Sequence, residues 1–318
     1  MNNEGSANNC NTINAVFSCD NKYVQHMACA IASLLYNKND LDKICIYIIT
    51  DGITKQNIQK INNLKSIAAC EIRFINIDKN LFAKCPLPKE APHISHATYY
   101  RFMLPELLAD TDKILYLDCD INIVSNLNEL YNTDISNYYF AGVSDVSEKE
   151  CCKRLNLTKY CNAGVLLINL KKCREENISE KLFEYCAEHY NEIKWGDQDV
   201  LNKVLQDKIL VLEKVWNTQT CDKAVDEIKR DAKIIHYLSR KKPWMINYNL
   251  PLREVYIKYL GMTSWKNKCL LYRIYGLISK LTEMRKTLIR IHLSKKEKAF
   301  KLYIGNKNIL HIKGEKHE

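Results

Sequence analysis

Apolar residues recur along this chain with two different periods. The runs INAVFSC (Ile13 to Cys19) and ICIYIIT (Ile44 to Thr50) are almost wholly apolar and read as buried strands. Between them Ala28, Ile31, Ala32 and Leu35 recur at helical spacing. Thr54 is placed to cap a helix that carries Ile58, Ile61, Leu64 and Ile67. A third strand is predicted over Glu71 to Ile77, a helix over Ala97 to Leu108 and a fourth strand over Lys113 to Leu117. Strands alternating with helices in this way predict an α/β domain whose mostly parallel sheet is covered on both faces.

The second half is less regular. Tyr139 to Val143, Gly164 to Ile168, Ile209 to Leu212 and Lys233 to Tyr237 read as strands, and Ser179 to Tyr190 and Gln198 to Leu205 as helices. The body is expected to end near Gly261. Beyond it, Leu270, Ile274, Leu277, Ile278, Leu281, Met284, Leu288 and Ile291 repeat at helical spacing between Lys268 and Leu293, with Arg273, Lys280, Thr287 and Arg290 opposite. The expected division is a disordered start over residues 1–12, a globular body over 13–261 and a basic amphipathic extension over 262–318, partly disordered past Lys295.

Composition changes this picture little, and charge changes it more. At 47% hydrophobic and 26% charged residues the chain sits near the globular average, which excludes a disordered, collagen-like or coiled-coil protein. No apolar run approaches the about 20 residues that a membrane-spanning helix needs, and the polar start MNNEGSANNCNT is unlike a secretory leader, so a cytoplasmic chain is expected. The 14 cysteines are scattered without a C-x-x-C pair and read as reduced apolar fillers. The net charge of +10 is localised: residues 266–318 hold 14 Lys and Arg against 4 Asp and Glu, which leaves the remainder neutral. A neutral body with a basic tail points to an anionic partner, lipid or nucleic acid. The amphipathic pattern favours an anionic membrane surface, with a helix packed back on the body as the alternative, and the tail carries no aromatic-basic RNA motif.

Sheets of this class bind ligands beyond the carboxyl ends of their strands. Three places there carry chemistry. In YLDCDINIV, Asp118 and Asp120 follow the fourth strand, and residues two apart in extended chain present both carboxylates to one side, as a hard divalent cation requires. The alternative is a solvated acidic turn. In KIIHYLSRKKPW, His236 ends a short strand and offers an imidazole to a metal, while Lys241 and Lys242 suit phosphate charge; the alternatives are a hydrogen-bonded histidine and a solvated basic face. In CNAGVLLINL and GDQDVLN, Asn162, Asp197 and Gln198 supply the directional groups that sugar hydroxyls demand, or simply cap a helix and a turn. No P-loop, G-x-G-x-x-G or G-x-S-x-G pattern is present.

Six motifs in order, FSCDNKY, HISHATYYRFMLPELL, KILYLDCDINIV, NAGVLLINL, GDQDVLN and HYLSRKKPW, give the chain a resemblance to glycosyltransferase family 8 from about Ile13 to Trp244. It most resembles the bacterial lipopolysaccharide and lipooligosaccharide glucosyl- and galactosyltransferases of that family. The resemblance implies a GT-A fold for the body, a UDP-sugar donor (UDP-glucose or UDP-galactose), a glycan acceptor and Mn²⁺, with Mg²⁺ as the substitute. By position it implies Asp118, Asp120 and His236 as metal ligands. It implies Asp20 and Tyr23 at the uracil, His93 and Lys242 at the diphosphate, and the backbone of Cys119 at the nucleotide. Arg101, Asp145, Asn162, Asp197 and Gln198 match positions around the transferred sugar and the acceptor. Lys22, Cys119 and Ser239 depart from the residues most often found at their places.

The family retains anomeric configuration. Gln198, an amide and a poor nucleophile, stands where a double displacement would need a carboxylate, so front-face attack with the leaving phosphate taking the acceptor's proton is the expected route. Asp199, next along a helix, is expected to point elsewhere. The competing expectations are an inactive binder of nucleotide sugar or nucleic acid, and a nucleotidyltransferase on a similar sheet.

Overall fold

The protein, described here by a computed structural model, is seen over residues 12–87, 95–221, 225–238, 240–248, 250, 252–294, 299–304 and 307–313. The expected disordered start, the diphosphate position His93 and the departure at Ser239 lie outside the described residues, Thr12 excepted.

A seven-stranded sheet forms the centre. Its strands are β1 (Thr12–Ser18), β2 (Lys43–Thr50), β3 (Glu71–Asn76), β4 (Lys113–Leu117), β6 (Phe140–Ser144), β7 (Cys161–Asn169) and β8 (Ile209–Val211), in the order β3-β2-β1-β4-β7-β6-β8. The first four run parallel, β7 runs antiparallel to both β4 and β6, and β8 is parallel to β6. A small second sheet joins β5 (Ile121–Ile123), β9 (Thr218–Gln219) and β10 (Ile234–His236), with β10 in the middle. The chain leaves β1 in one direction through β2 and β3, then returns to β1's other side as β4. That reversal opens a crevice beyond the carboxyl ends of β1 and β4.

The helix Val24–Asn37 contains no charged residue, and Met27, Ala28, Cys29, Ala30, Ile31 and Ala32 are completely buried in it. Its small residues let it lie close against β5 and the helix Arg253–Leu260, where burial of aliphatic groups is the main stabilising term. The helix expected over Ala97–Leu108 is instead a tight 3-10 segment, His96–Met103, followed by a single α-turn, Leu104–Leu107, with Pro105 in its first turn. In a 3-10 helix residues three apart eclipse one another, so Thr98 and Arg101 share a side.

The C-terminal helix runs Cys269–Leu288 rather than to Leu293. Ile289–Ser294 pairs instead as β11 with β12 (Ala299–Ile304), which pairs with β13 (Lys307–Lys313), in a stretch whose end was expected to be partly disordered. The physical reason is visible in IRIHLS, where apolar and polar residues alternate with the strand period of two and the first two apolar positions are β-branched. The helix packs on the body through Tyr272 and Ser279, while Leu270, Leu271, Ile274, Leu277 and Ile278 are exposed. The aliphatic stripe therefore faces outward. Among the described residues no helix is long and apolar enough to cross a membrane. All described cysteines are free.

Candidate active site

A cleft of about 480 Å³ opens at the crevice, lined from β1 by Ser18, Cys19, Asp20 and Tyr23 and from β4 by Asp118, Cys119 and Asp120. That size suits a small-molecule ligand. The continuous apolar run Ile114–Leu117 buries β4, and the polar residues begin where the strand leaves the sheet.

Asp118, Asp120 and His236 come together although 116 residues separate Asp120 from His236; one ligand atom from each lies within 4.8 Å of the others. The antiparallel pairing of β10 with β5 sets His236 opposite Ile121, one residue past Asp120. His236 Nε2 lies 3.4 Å from Asp120 Oδ1 and 4.0 Å from Asp118 Oδ2. Its Nδ1 is 3.0 Å from the Asn217 amide oxygen, an acceptor, so Nδ1 carries the proton and Nε2 presents a lone pair to the two carboxylates. Two carboxylates and a lone pair converging on one point repel each other unless a cation sits among them, and the donor set suits a hard or borderline divalent ion. Burial acts to raise the Asp120 pKa, but the Lys242 ammonium, 2.6 Å from Oδ2, holds it well below the usual carboxylate range.

Arg101 stitches a second group. Its Nη2 donates to Asp118 Oδ1 at 3.1 Å and to the Tyr116 hydroxyl at 3.0 Å, its Nε to Thr98 O at 2.9 Å, and Nη1 to Ala163 O. Nε also lies 3.0 Å from Asp197 Oδ2. Burial opposes its charge, yet Asp197 and Asp118 keep the guanidinium protonated. Thr98 donates a short hydrogen bond to Asp197 Oδ1. Burial nevertheless pushes the Asp197 carboxyl up to about 6 against the pull of Arg101.

Asp145, Asn162 and Gln198 form a third group. The Asn162 amide donates to Asp145 Oδ2 at 2.8 Å, and the Gln198 amide donates to the same oxygen at 3.3 Å. Gln198 Oε1 accepts from the backbone of Ala163 at 3.0 Å. Asp199 is absent from the cleft lining and fully buried, bound to Arg154 (2.7 Å), the Tyr160 hydroxyl (2.6 Å) and the N–H groups of Lys194 and Trp195. At the opposite end Asp20 Oδ1 accepts from the N–H groups of Lys22 and Tyr23 and fixes the turn into the helix Val24–Asn37.

The fold thus gathers Asp20, Tyr23, Cys119, Lys242, Arg101, Asp145, Asn162, Asp197 and Gln198 around the Asp118, Asp120 and His236 cluster. Sequence reasoning missed Asn217, which orients His236 and donates to Asn162 Oδ1 at 2.8 Å. The signal was faint: WNTQT reads as a solvated loop, yet Asn217, Thr218, Gln219 and Thr220 are all buried. It also missed Thr98 and Trp195, the latter a residue 41% exposed at the cleft.

The profile of glycosyl transferase family 8 matches residues 14–247, which spans every one of these groups. The chain belongs to glycosyltransferase family 8. Two relatives agree along most of their length. General stress protein A of Bacillus subtilis is 30% identical over 271 residues, covering 79% of this chain and 94% of the relative. Lipopolysaccharide 1,3-galactosyltransferase of Salmonella typhimurium is 27% identical, covering 81% of this chain and 80% of the relative. Among solved structures, the galactosyltransferase LgtC in complex with donor and acceptor sugar analogues superimposes with a TM-score of 0.72 at 27% identity, covering 80% of this chain and all of LgtC. The expected GT-A architecture is the one found, and the protein is a glycosyltransferase by family.

Proposed function

We propose that this family 8 protein is a retaining hexosyltransferase that moves glucose or galactose from a UDP-sugar to a glycan acceptor, with Mn²⁺ or Mg²⁺ held by Asp118, Asp120 and His236. The observation that carries the proposal is the His236 ring, turned by Asn217 so that its lone pair and two carboxylates share one point beside Lys242. LgtC, crystallised with donor and acceptor sugar analogues, and relatives named as lipopolysaccharide galactosyl- and glucosyltransferases support the donor and acceptor classes.

The cation, when bound, supplies a Lewis acid to the diphosphate. Tyr23 and Asp20 take the uracil by stacking and hydrogen bonding, and the Cys119 backbone approaches the nucleotide. Lys242 places its charge where the departing phosphate gains negative charge. Asp145, Asn162 and Asp197 hydrogen-bond sugar hydroxyls, and Arg101, whose donors are turned to Asp118, Asp197 and backbone carbonyls, holds the two carboxylates in place. Gln198 lies at the reacting carbon. One solved structure of LgtC carries an active-site exchange of glutamine for glutamate, and Gln198 is the glutamine among the described lining residues of this cleft.

The placement of two carboxylates supports front-face attack as the route to retention. Asp199 is buried behind Arg154 and Tyr160, and both oxygens of Asp145 accept hydrogen bonds from Ser147, Asn162 or Gln198. With Asp199 and Asp145 engaged in this way, the acceptor oxygen enters on the face the phosphate leaves. The carbon–oxygen bond to phosphate breaks, the bond to the acceptor forms, and the acceptor's proton passes to the leaving phosphate oxygen.

The outward stripe of Leu270, Leu271, Ile274, Leu277 and Ile278, with Lys266 and Lys280 exposed beside it, supports peripheral docking on an anionic membrane face, where a lipid-linked glycan acceptor would lie. The test of the activity is a panel of UDP-sugars with Mn²⁺, scored by UDP release. One hexose donor should stand out, and both excess chelator and Asp120→Asn should abolish release. Full activity in chelator would overturn the metal assignment.

A further inference from the structure

The family match ends at residue 247, yet the chain beyond it reaches back to the cleft by two routes. On the first, Lys268 Nζ donates to Gln25 Oε1 at 2.5 Å, and Gln25 Nε2 donates to the hydroxyls of Tyr272 at 2.9 Å and Tyr256 at 3.3 Å. The Tyr256 hydroxyl, holding its proton because burial raises its pKa, lies 2.8 Å from His26 Nδ1. Having accepted from Gln25, it donates to that nitrogen. His26, whose pKa burial pushes down to about 3, is a neutral ring. It stacks on Trp244 at 3.6 Å between centroids and 19° between planes, and Tyr23 meets Trp244 edge-on at 5.9 Å. Hydrogen bonds thus run in one direction, from the tail's ammonium to His26, whose stack with Trp244 backs Tyr23 at the base end of the cleft.

The second route passes through Arg253. Its Nη1 donates to Pro243 O at 2.6 Å, and its Nη2 to Met245 O at 2.8 Å and Tyr248 O at 2.7 Å, which clasps the loop that carries Lys242 and Trp244. Gly276 of the C-terminal helix lies flush against this side chain: a methyl group there would come 3.3 Å from Arg253 Cδ and Nε. Arg253 is buried, so it has little room to yield.

We propose that the C-terminal helix positions the donor site, setting the base wall through Lys268, Tyr272 and Gln25, and the Lys242 loop through Gly276 and Arg253. This rests on the reading that the Tyr23 end of the cleft takes uracil and the Lys242 loop takes diphosphate. Lys268, Tyr272 and Gly276 are positioning residues; they touch no donor atom.

The first route ends on the base wall alone and the second also reaches Lys242, and that difference separates positioning from general support. In the full-length chain, Tyr272→Phe removes one hydroxyl and keeps the ring. It should weaken uridine and UDP alike, by about two- to ten-fold, the worth of one hydrogen bond. Gly276→Leu pushes on Arg253, and so on the loop that carries both Lys242 and Trp244; it should weaken UDP more than uridine, because the diphosphate contact is lost on top of any shift of the wall. In both variants turnover at saturating donor should stay close to wild type, with the change in KM. Leu277→Ala, on the outward face, should bind uridine and UDP as the wild type does. Calorimetric titration with uridine and with UDP, beside thermal unfolding, reads all of these. Unchanged ligand affinity in both variants, or equal losses for both ligands that follow the melting temperature, would overturn the proposal. A wild-type protein that binds neither uridine nor UDP would instead refute the reading of the cleft.

Discussion

Gly164 stands so close to His236 that a methyl group on it would come within 2.3 Å of the ring's Cε1 and 2.9 Å of Asp118 Oδ2. The strand that carries Asn162 into the cleft therefore also packs flat against two of the three candidate metal ligands, and only a residue without a side chain fits between them.

The first prediction follows directly. Gly164→Ala must displace the His236 ring or the Asp118 carboxylate, while β7 keeps its pairing with β4 and β6. Divalent-ion affinity should fall by about 10- to 100-fold, the range found when groups that orient metal ligands are disturbed. Titration with Mn²⁺, with circular dichroism as the check on folding, measures it. Wild-type affinity would mean that the three groups do not hold an ion together.

Gln198→Ala should lower turnover sharply and leave UDP affinity nearly as it was. Its amide faces Asp145 and the Ala163 backbone on the sugar side, away from the Lys242 end. A loss confined to turnover marks an interaction made in the transition state. Steady-state kinetics paired with UDP titration separates the two. Loss of UDP binding would move Gln198 to the nucleotide, and a trapped covalent sugar on Asp145 or Asp199 would restore double displacement.

Asp197 predicts a pH dependence of stability. Its carboxyl is raised from an ordinary 3.8 to about 6 in the folded protein, so the fold favours its protonated form. That contribution is present below the unfolded pKa and is lost as pH rises through the folded one. Asp197→Asn cannot titrate. Relative to wild type, the variant should gain stability between pH 3.8 and about 6, with a flat difference above. Urea unfolding of both proteins across that window reads the slope. A difference that does not vary with pH would show that the carboxyl titrates normally.

For the outward stripe, Leu270→Ser together with Leu277→Ser should weaken binding to anionic vesicles by about ten-fold per leucine, since each transfer of a leucyl side chain is worth more than 1 kcal/mol. Binding of the wild type should fall with added salt without vanishing, because charge is screened and apolar insertion is not. Co-sedimentation with anionic and neutral vesicles tests both statements, and equal binding by the double variant would remove the stripe from the interface.

How much of this was legible in the sequence depends on the range of the interaction. β1, β2 and β4 are written in short apolar runs, and Asp118 and Asp120 could be found because polarity begins abruptly after Leu117. The meeting of His236 with them could not be read from spacing, since it comes from the pairing of β10 with β5 across more than a hundred residues; the likeness to a known family supplied it. Asn217 was invisible because a buried asparagine and a solvated one look alike in a polar run. The orientation of the C-terminal helix was ambiguous for a related reason. Period alone locates an aliphatic stripe and its opposite face, but which of them meets the body is decided by Gln25, Arg253 and Gly276. Cutting the chain after Trp265, harmless if the tail were a separate anchor, therefore removes Lys268, Tyr272 and Gly276 from their partners.

That dependence bears on how such proteins could be recombined. A tail that hung free could be exchanged between relatives as a module, to redirect one catalytic body to a different surface. Here the junction lies inside the body, at Gln25, His26 and Arg253. A functional chimaera would have to carry those three residues along with the helix that reads them.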